Sequence, residues 1–228
     1  MLKIYSIKKS NLKQLPKSFG NLKNLKELII EKSNLKQFPG FNCPLISLKK
    51  LYLKNNETKH LNKSIGEFNN LKLLDLKNNK LESLPASIKN LKKLKFLFLG
   101  NNELRILPES IGDLSSIRSL DCSNNKLKNL PKSIGKLNTL RFLTVNGNEL
   151  NHLPSEIGDL TSLQILDLEN NPLEEIPICI VKLRDLENLY LKKTKIGKDK
   201  KLVKELYRNK TPKLKIDAHY YFPSWKLN

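Results

Sequence analysis

The stretch Leu71-Lys72-Leu73-Leu74-Asp75-Leu76-Lys77-Asn78-Asn79-Lys80-Leu81-Glu82-Ser83-Leu84-Pro85-Ala86-Ser87-Ile88 decides the fold. Leu74 and Leu76, one residue apart, give the alternation of a short strand with one buried face. Asn79 stands at the turn that follows, and Pro85 lacks the amide hydrogen needed to extend the strand. The pattern repeats every 23 residues, in blocks beginning at Leu2, Leu25, Leu48, Leu71, Leu94, Ile117, Leu140, Leu163 and Leu186, with no insertion or deletion. Three positions into each block stand Tyr5, Leu28, Leu51, Leu74, Leu97, Leu120, Leu143, Leu166 and Leu189. Two further on stand Ile7, Ile30, Leu53, Leu76, Leu99, Cys122, Val145, Leu168 and Leu191. Every one of these positions is apolar in a chain that is 39% hydrophobic, which chance does not produce. A single unit cannot bury its own apolar face, so the units must stack into a solenoid.

The segment from Leu71 to Ile88, and the half-repeat Leu107-Pro108-Glu109-Ser110-Ile111-Gly112-Asp113-Leu114, resemble the leucine-rich repeat family. The second half of the unit is similar to the Leu-Pro-x-x-Ile-Gly-x-Leu subtype, and the resemblance covers roughly residues 2 to 196. It implies an α/β chain: a right-handed solenoid of nine repeats, one short strand each, whose parallel sheet lines the concave side. The expected domains are a solenoid over 1–197 and a helical and aromatic C-terminal cap over 198–228. In that cap Leu202, Val203, Leu206 and Tyr207 share one helical face, Leu214-Lys215-Ile216 adds a strand, and Tyr220, Tyr221, Phe222 and Trp225 pack.

Asn56, Asn79, Asn102, Asn125, Asn148 and Asn171 form a column after the strands. An amide donates and accepts at once, so the column reads as satisfaction of buried backbone groups between neighbouring turns. It gives way to Ser10 and Ser33 at one end and Thr194 at the other. Thr58 and Asn62 replace the usual Leu and Pro of the third block, and Asn42-Cys43-Pro44 replaces the Ile-Gly step of the second. An irregular convex side is expected there.

The chain of 228 residues carries 42 Lys plus Arg against 22 Asp plus Glu, a formal charge of +20. Only Arg105, Arg118, Arg141, Arg184 and Arg208 are arginines. Readers of nucleic acid usually rely on the bidentate Arg fork, so this Lys-rich excess disfavours that class. No apolar run is long enough to span a bilayer. The first residues have neither a continuous apolar core nor a small-residue cleavage site, so a cytoplasmic location is expected. The odd count of three cysteines, Cys43, Cys122 and Cys179, also favours a reducing compartment.

No catalytic constellation emerges. His60 and His152 share a column four blocks apart, His219 lies in the tail, and no phosphate loop or dinucleotide fingerprint is present. The expectation is a protein without catalytic, metal or cofactor residues.

With the register fixed, the residues between the buried leucines point away from the core. They form a partner-binding surface of Tyr52, Leu73, Asp75, Phe96, Phe98, Asp121, Phe142, Ile165, Asp167 and Tyr190. Its centre is apolar, with Leu73, Phe96, Phe98, Phe142 and Ile165 expected to face water. Its charge is acidic, since Asp75, Asp121, Asp167 and Glu169 outnumber Lys77. The expected partner is a protein or peptide, apolar with basic neighbours. The second position of each block is different: Lys3, Lys26, Lys49, Lys72, Lys95, Arg118 and Arg141 form a cationic edge. That edge reads as a solvated border that blocks stray pairing. The alternatives are docking of nucleic acid or an anionic membrane through Lys49, Lys72, Lys95, Arg118 and Arg141, or service as the recognition arm of a larger enzyme. Weak self-association through the N-terminal end is a further expectation.

Overall fold

Alternating apolar residues at a fixed spacing of 23 dictate that successive strands stack in register. The computed structural model, which describes residues 2–40, 44–196 and 214–216, has that arrangement. Its strands are β1 (Ile4–Lys8), β2 (Glu27–Glu31), β3 (Gln37–Phe38), β4 (Lys50–Tyr52), β5 (His60–Leu61) and β6 (Leu73–Asp75). They continue as β7 (Phe96–Phe98), β8 (Ser119–Asp121), β9 (Phe142–Thr144), β10 (Ile165–Asp167), β11 (Asn188–Tyr190) and β12 (Lys215–Ile216). All except β3 and β5 join one ten-stranded sheet in chain order. Pairing is parallel with partners offset by 23 residues, as in Leu74↔Leu97 and Leu97↔Leu120. The last strand departs from the repeat, because β12 pairs with β11 after a longer excursion. The helical face and aromatic cluster expected in the cap, together with Cys43 and His219, lie outside the described residues.

The phase is as expected. Leu97 and Leu99 are wholly buried, whereas Phe96 and Phe98 on the same strand are half-exposed. One continuous core runs through the stack, and the return limbs add Ile65, Ile88, Ile111, Ile134 and Ile157. Among the described residues the helical part of the expected α/β class consists of five-residue 3-10 turns, as at Ala86–Asn90, Glu109–Asp113 and Lys132–Lys136. A proline precedes most of these turns at an extended φ/ψ, such as Pro108 at −68° and 149°, where its fixed φ suits the position and no donor is wasted.

The Asn column does what an amide can do there. Asn125 Oδ1 accepts the Leu104 amide at 3.0 Å, while its Nδ2 donates to Leu99 O and Cys122 O, both at 3.0 Å. Asn148 donates to Cys122 O in turn, so a carbonyl such as that of Cys122 receives two amides from successive repeats. At the ends, the Ser33 and Thr194 hydroxyls donate locally, to Glu31 O at 2.8 Å and Leu191 O at 2.7 Å.

In the third repeat the expected irregularity is confined, while Asn42 and Cys43 of the second repeat lie outside the described residues. In the third repeat Asn62 takes the proline's place as the cap of a regular turn, Lys63–Glu67, accepting the Ser64 amide at 2.9 Å. Thr58, in the place of a leucine, is fully buried and donates its hydroxyl to Leu35 O at 3.0 Å. What changes is the pairing of β3 with β5 into a two-stranded parallel sheet. Phe38 of β3 packs edge-on against Phe68, their ring centres 6.1 Å apart.

Candidate functional site

The strands of the large sheet present two rows of side chains on the face turned away from the core. Tyr52, Asp75, Phe98, Asp121, Thr144, Asp167 and Tyr190 form one row, joined by the strand register. Lys50, Leu73, Phe96, Ser119, Phe142, Ile165 and Asn188 form the other. The residues expected to form one surface are therefore neighbours, but they are not equally accessible. Leu73, expected to face water, is only 2% exposed between its register partners Lys50 and Phe96. It reinforces the sheet and offers no contact area. Tyr190 is likewise nearly enclosed. Phe96, Phe98, Phe142, Ile165 and Tyr52 stay half-exposed and form the accessible apolar part.

Phe96 and Phe98 lie nearly parallel, interplanar angle 26°, with ring centres 6.4 Å apart. Lys77 reaches across repeat five to Asp121, where its Nζ stands 2.8 Å from Oδ2. On the way it passes over the Phe98 ring, 4.7 Å from the centroid, a cation–π contact. The crossing is open because repeat five has Gly100 where its neighbours have Lys77 and Ser123. A Cβ on Gly100 would come within 2.8 Å of Ser123 Oγ and 3.3 Å of both Asp121 carboxylate oxygens. Asp121 is thereby fully occupied, since Oδ1 also accepts the Ser123 amide and hydroxyl at 3.0 and 2.7 Å.

The acids of the row differ in their compensation. Asp75 accepts the Lys77 amide at 3.1 Å, and burial holds its carboxyl above the usual range. Asp167 is more perturbed. Burial raises its pKa to about 6, opposed by one hydrogen bond from the Glu169 amide and reinforced by the charges of Glu169 and Asp121. Among the described residues no cation pairs with Asp167 or Glu169. The same carboxylates, after burial, push the Tyr190 hydroxyl upward. The acidic character read from the sequence is therefore concentrated at repeat eight, and Lys77 quenches it at repeat six.

On the edge where the strands begin, Lys3, Lys26, Lys49, Lys72, Arg118 and Arg141 are exposed and Lys95 is half-buried. From Lys26 to Arg141, each amide donates to the carbonyl of the preceding member at 2.7–2.9 Å, which fixes the row. On the opposite edge a column at left-handed φ, including Asn55, Asn78, Asn101, Asn124 and Gly147, turns each strand outward. Asn78 donates to Asn55 Oδ1 at 2.7 Å and Asn124 to Asn101 Oδ1 at 3.0 Å. The second Asn of each Asn-Asn pair signals the buried ladder, and the first, which tolerates positive φ, marks this column. Among the described residues there is no group of three or more His, Cys, Asp or Glu that could hold a metal ion. Cys122 is buried, which pushes its thiol pKa well up.

The sequence profile described as "Leucine-rich repeat region" matches residues 41–124, 88–150 and 120–206. A search of the curated proteins gives no match. A leucine-rich repeat protein of Leptospira interrogans is 39% identical, with a TM-score of 0.78, over 81% of this chain and 47% of that one. The chain thus spans about half the length of that relative. A chain of the Toll–Spatzle complex of Drosophila is 26% identical, with a TM-score of 0.76, over 83% of this chain and 26% of the other. The leucine-rich repeat domain of the type III effector XopL, 24% identical, shares the fold with a TM-score of 0.80 over 93% of this chain and 75% of its own length.

Proposed function

The chain belongs to the leucine-rich repeat family, and from that premise we propose that it is a non-enzymatic protein-interaction module binding a partner segment on the open, concave face of its sheet. The observation that carries this reading is the juxtaposition of half-exposed Phe96, Phe98, Phe142 and Ile165 with the uncompensated pair Asp167 and Glu169. Large aromatic groups left in water are typical contact anchors. A buried carboxylate without a cation lowers stability at neutral pH and gains from a partner that supplies one. The fitting occupant is a segment with an apolar side chain for the phenylalanines and Lys or Arg for repeat eight. The rigid sheet fixes these groups in advance, so little ordering entropy is lost on association. Membership in a fold that is captured with a protein ligand in the Toll–Spatzle complex supports a protein partner here.

The test is affinity capture from native lysate, wild type against the triple variant Phe96→Ala, Phe98→Ala, Phe142→Ala. These side chains lie off the core, so the variant is expected to keep its circular dichroism spectrum while losing specifically captured proteins. An unchanged capture profile would remove the open face as the binding site.

A further inference from the structure

We propose that the flank where the strands begin is a second docking surface, and that its occupant is an anionic membrane. The three sequence columns on this flank are the cationic row itself and the two positions before each block start. From repeat one to Arg141 these columns hold Lys23, Lys92 and Lys93 besides the row, and no Asp or Glu. The remaining residues there are uncharged and include Ser115 and Ser116, together with Asn70 and Thr139, which donate to Ile46 O and Ile117 O. Among the described residues none of the seven row cations has an ion-pair partner, although Lys8, Lys50, Lys54, Lys77, Lys80, Lys126 and Lys195 elsewhere all do. The three columns of this flank offer no carboxylate with which the row could pair. At repeat eight the row ends in Gln164 and then Glu187, so the cationic strip has a defined end.

The strip's geometry and chemistry select the polyanion. Strands spaced ~4.8 Å apart place the seven cations on a row of roughly 29 Å, fixed by the backbone bonds between successive members. A rigid row cannot follow the turning phosphates of a duplex, whereas a plane of headgroups presents anions at any spacing. The columns contain no aromatic ring on which bases of a single strand could stack. Lys outnumbers Arg, which suits diffuse attraction to a charged surface better than bidentate reading of phosphate or guanine. Ile46 adds the apolar element. It protrudes at 52% exposure between Lys23 and Lys49 in sequence, and its carbonyl is held by Asn70 Nδ2 at 2.8 Å. One apolar side chain within a Lys-rich strip fits the boundary between headgroups and acyl chains. Docking by this flank leaves the open face of the sheet free for a protein.

Co-sedimentation of the full chain with vesicles tests the proposal. Binding is expected to vesicles containing phosphatidylserine and not to phosphatidylcholine alone, and to fall steeply with added salt. The variant Lys72→Glu, Lys95→Glu, Arg118→Glu should lose about a hundredfold in affinity or more, from surface cations each worth several-fold. A control of equal net charge on the opposite edge, Lys36→Glu, Lys59→Glu, Lys128→Glu, should lose less than about tenfold. Ile46→Ala should weaken binding without altering its salt dependence. The Phe96→Ala, Phe98→Ala, Phe142→Ala variant should bind vesicles as wild type does, which separates this surface from the protein site. Failure of the wild type to sediment with anionic vesicles, equal losses in the two charge variants, or tighter binding to a DNA oligonucleotide than to vesicles at the same salt would each overturn it.

Discussion

Replacing Asn125 by Ala removes one rung of the amide ladder, and its cost follows from the bonds lost. Asn125 is nearly enclosed, so water does not readily replace the missing groups. The Leu104 amide loses its acceptor, and a buried orphan N–H costs about 1–3 kcal/mol. Leu99 O still receives Asn102 Nδ2 at 2.9 Å, and Cys122 O still receives Asn148 Nδ2 at 3.0 Å. These carbonyls therefore lose a bond without being orphaned, at about 0.5–1 kcal/mol each. The expected destabilisation is about 2–5 kcal/mol, a large share of the stability of an ordinary domain. Urea unfolding followed by far-ultraviolet circular dichroism measures it, with exposed Asn129→Ala as a control expected to stay within about 0.5 kcal/mol. A loss below about 0.5 kcal/mol for Asn125→Ala would mean that the column does not hold the repeats together.

Asp167→Asn should stabilise the protein at neutral pH. The folded-state pKa of Asp167 is about 6 against an ordinary 3.8, so the folded state holds its proton more tightly and stability declines as pH rises from about 4 to above 6. The amide keeps an acceptor for the Glu169 amide and has no charge, which predicts a gain of up to about 3 kcal/mol at pH 7 that vanishes near pH 4 in paired thermal melts. Gly147→Ala should cost about 1–2 kcal/mol, because φ is +64° and a Cβ there would lie 2.2 Å from Asn124 Oδ1. Gly147→Asn should recover part of that loss, since Asn occupies the same left-handed position in repeats three to six.

The phase of the strands was readable because it depends on spacing alone: Leu97 and Leu99 go inward and Phe96 and Phe98 outward whatever their neighbours are. The Asn column was readable because a polar residue at a buried, recurring position must satisfy backbone groups. The reach of Lys77 to Asp121 was not, since it depends on the gap that Gly100 leaves in the intervening repeat. Nor was the enclosure of Leu73, which depends on side chains in two flanking repeats. The β3–β5 pair joins the second repeat to the third, and Asn62 preserves the third turn by capping it. The Lys77 reach and the Leu73 enclosure depend on side chains in neighbouring repeats, information no single repeat contains, whereas the Asn62 cap acts within its own turn.

Everything proposed for binding depends on which side chains of one strand face the core. Thiol labelling measures this directly, in a background with Cys43, Cys122 and Cys179 replaced by Ala. Phe98→Cys, at a half-exposed position, should react with a maleimide under native conditions, and Leu97→Cys should react only in denaturant. Rapid labelling at 97 with protection at 98 would contradict the register, and with it the open face of aromatic and acidic residues.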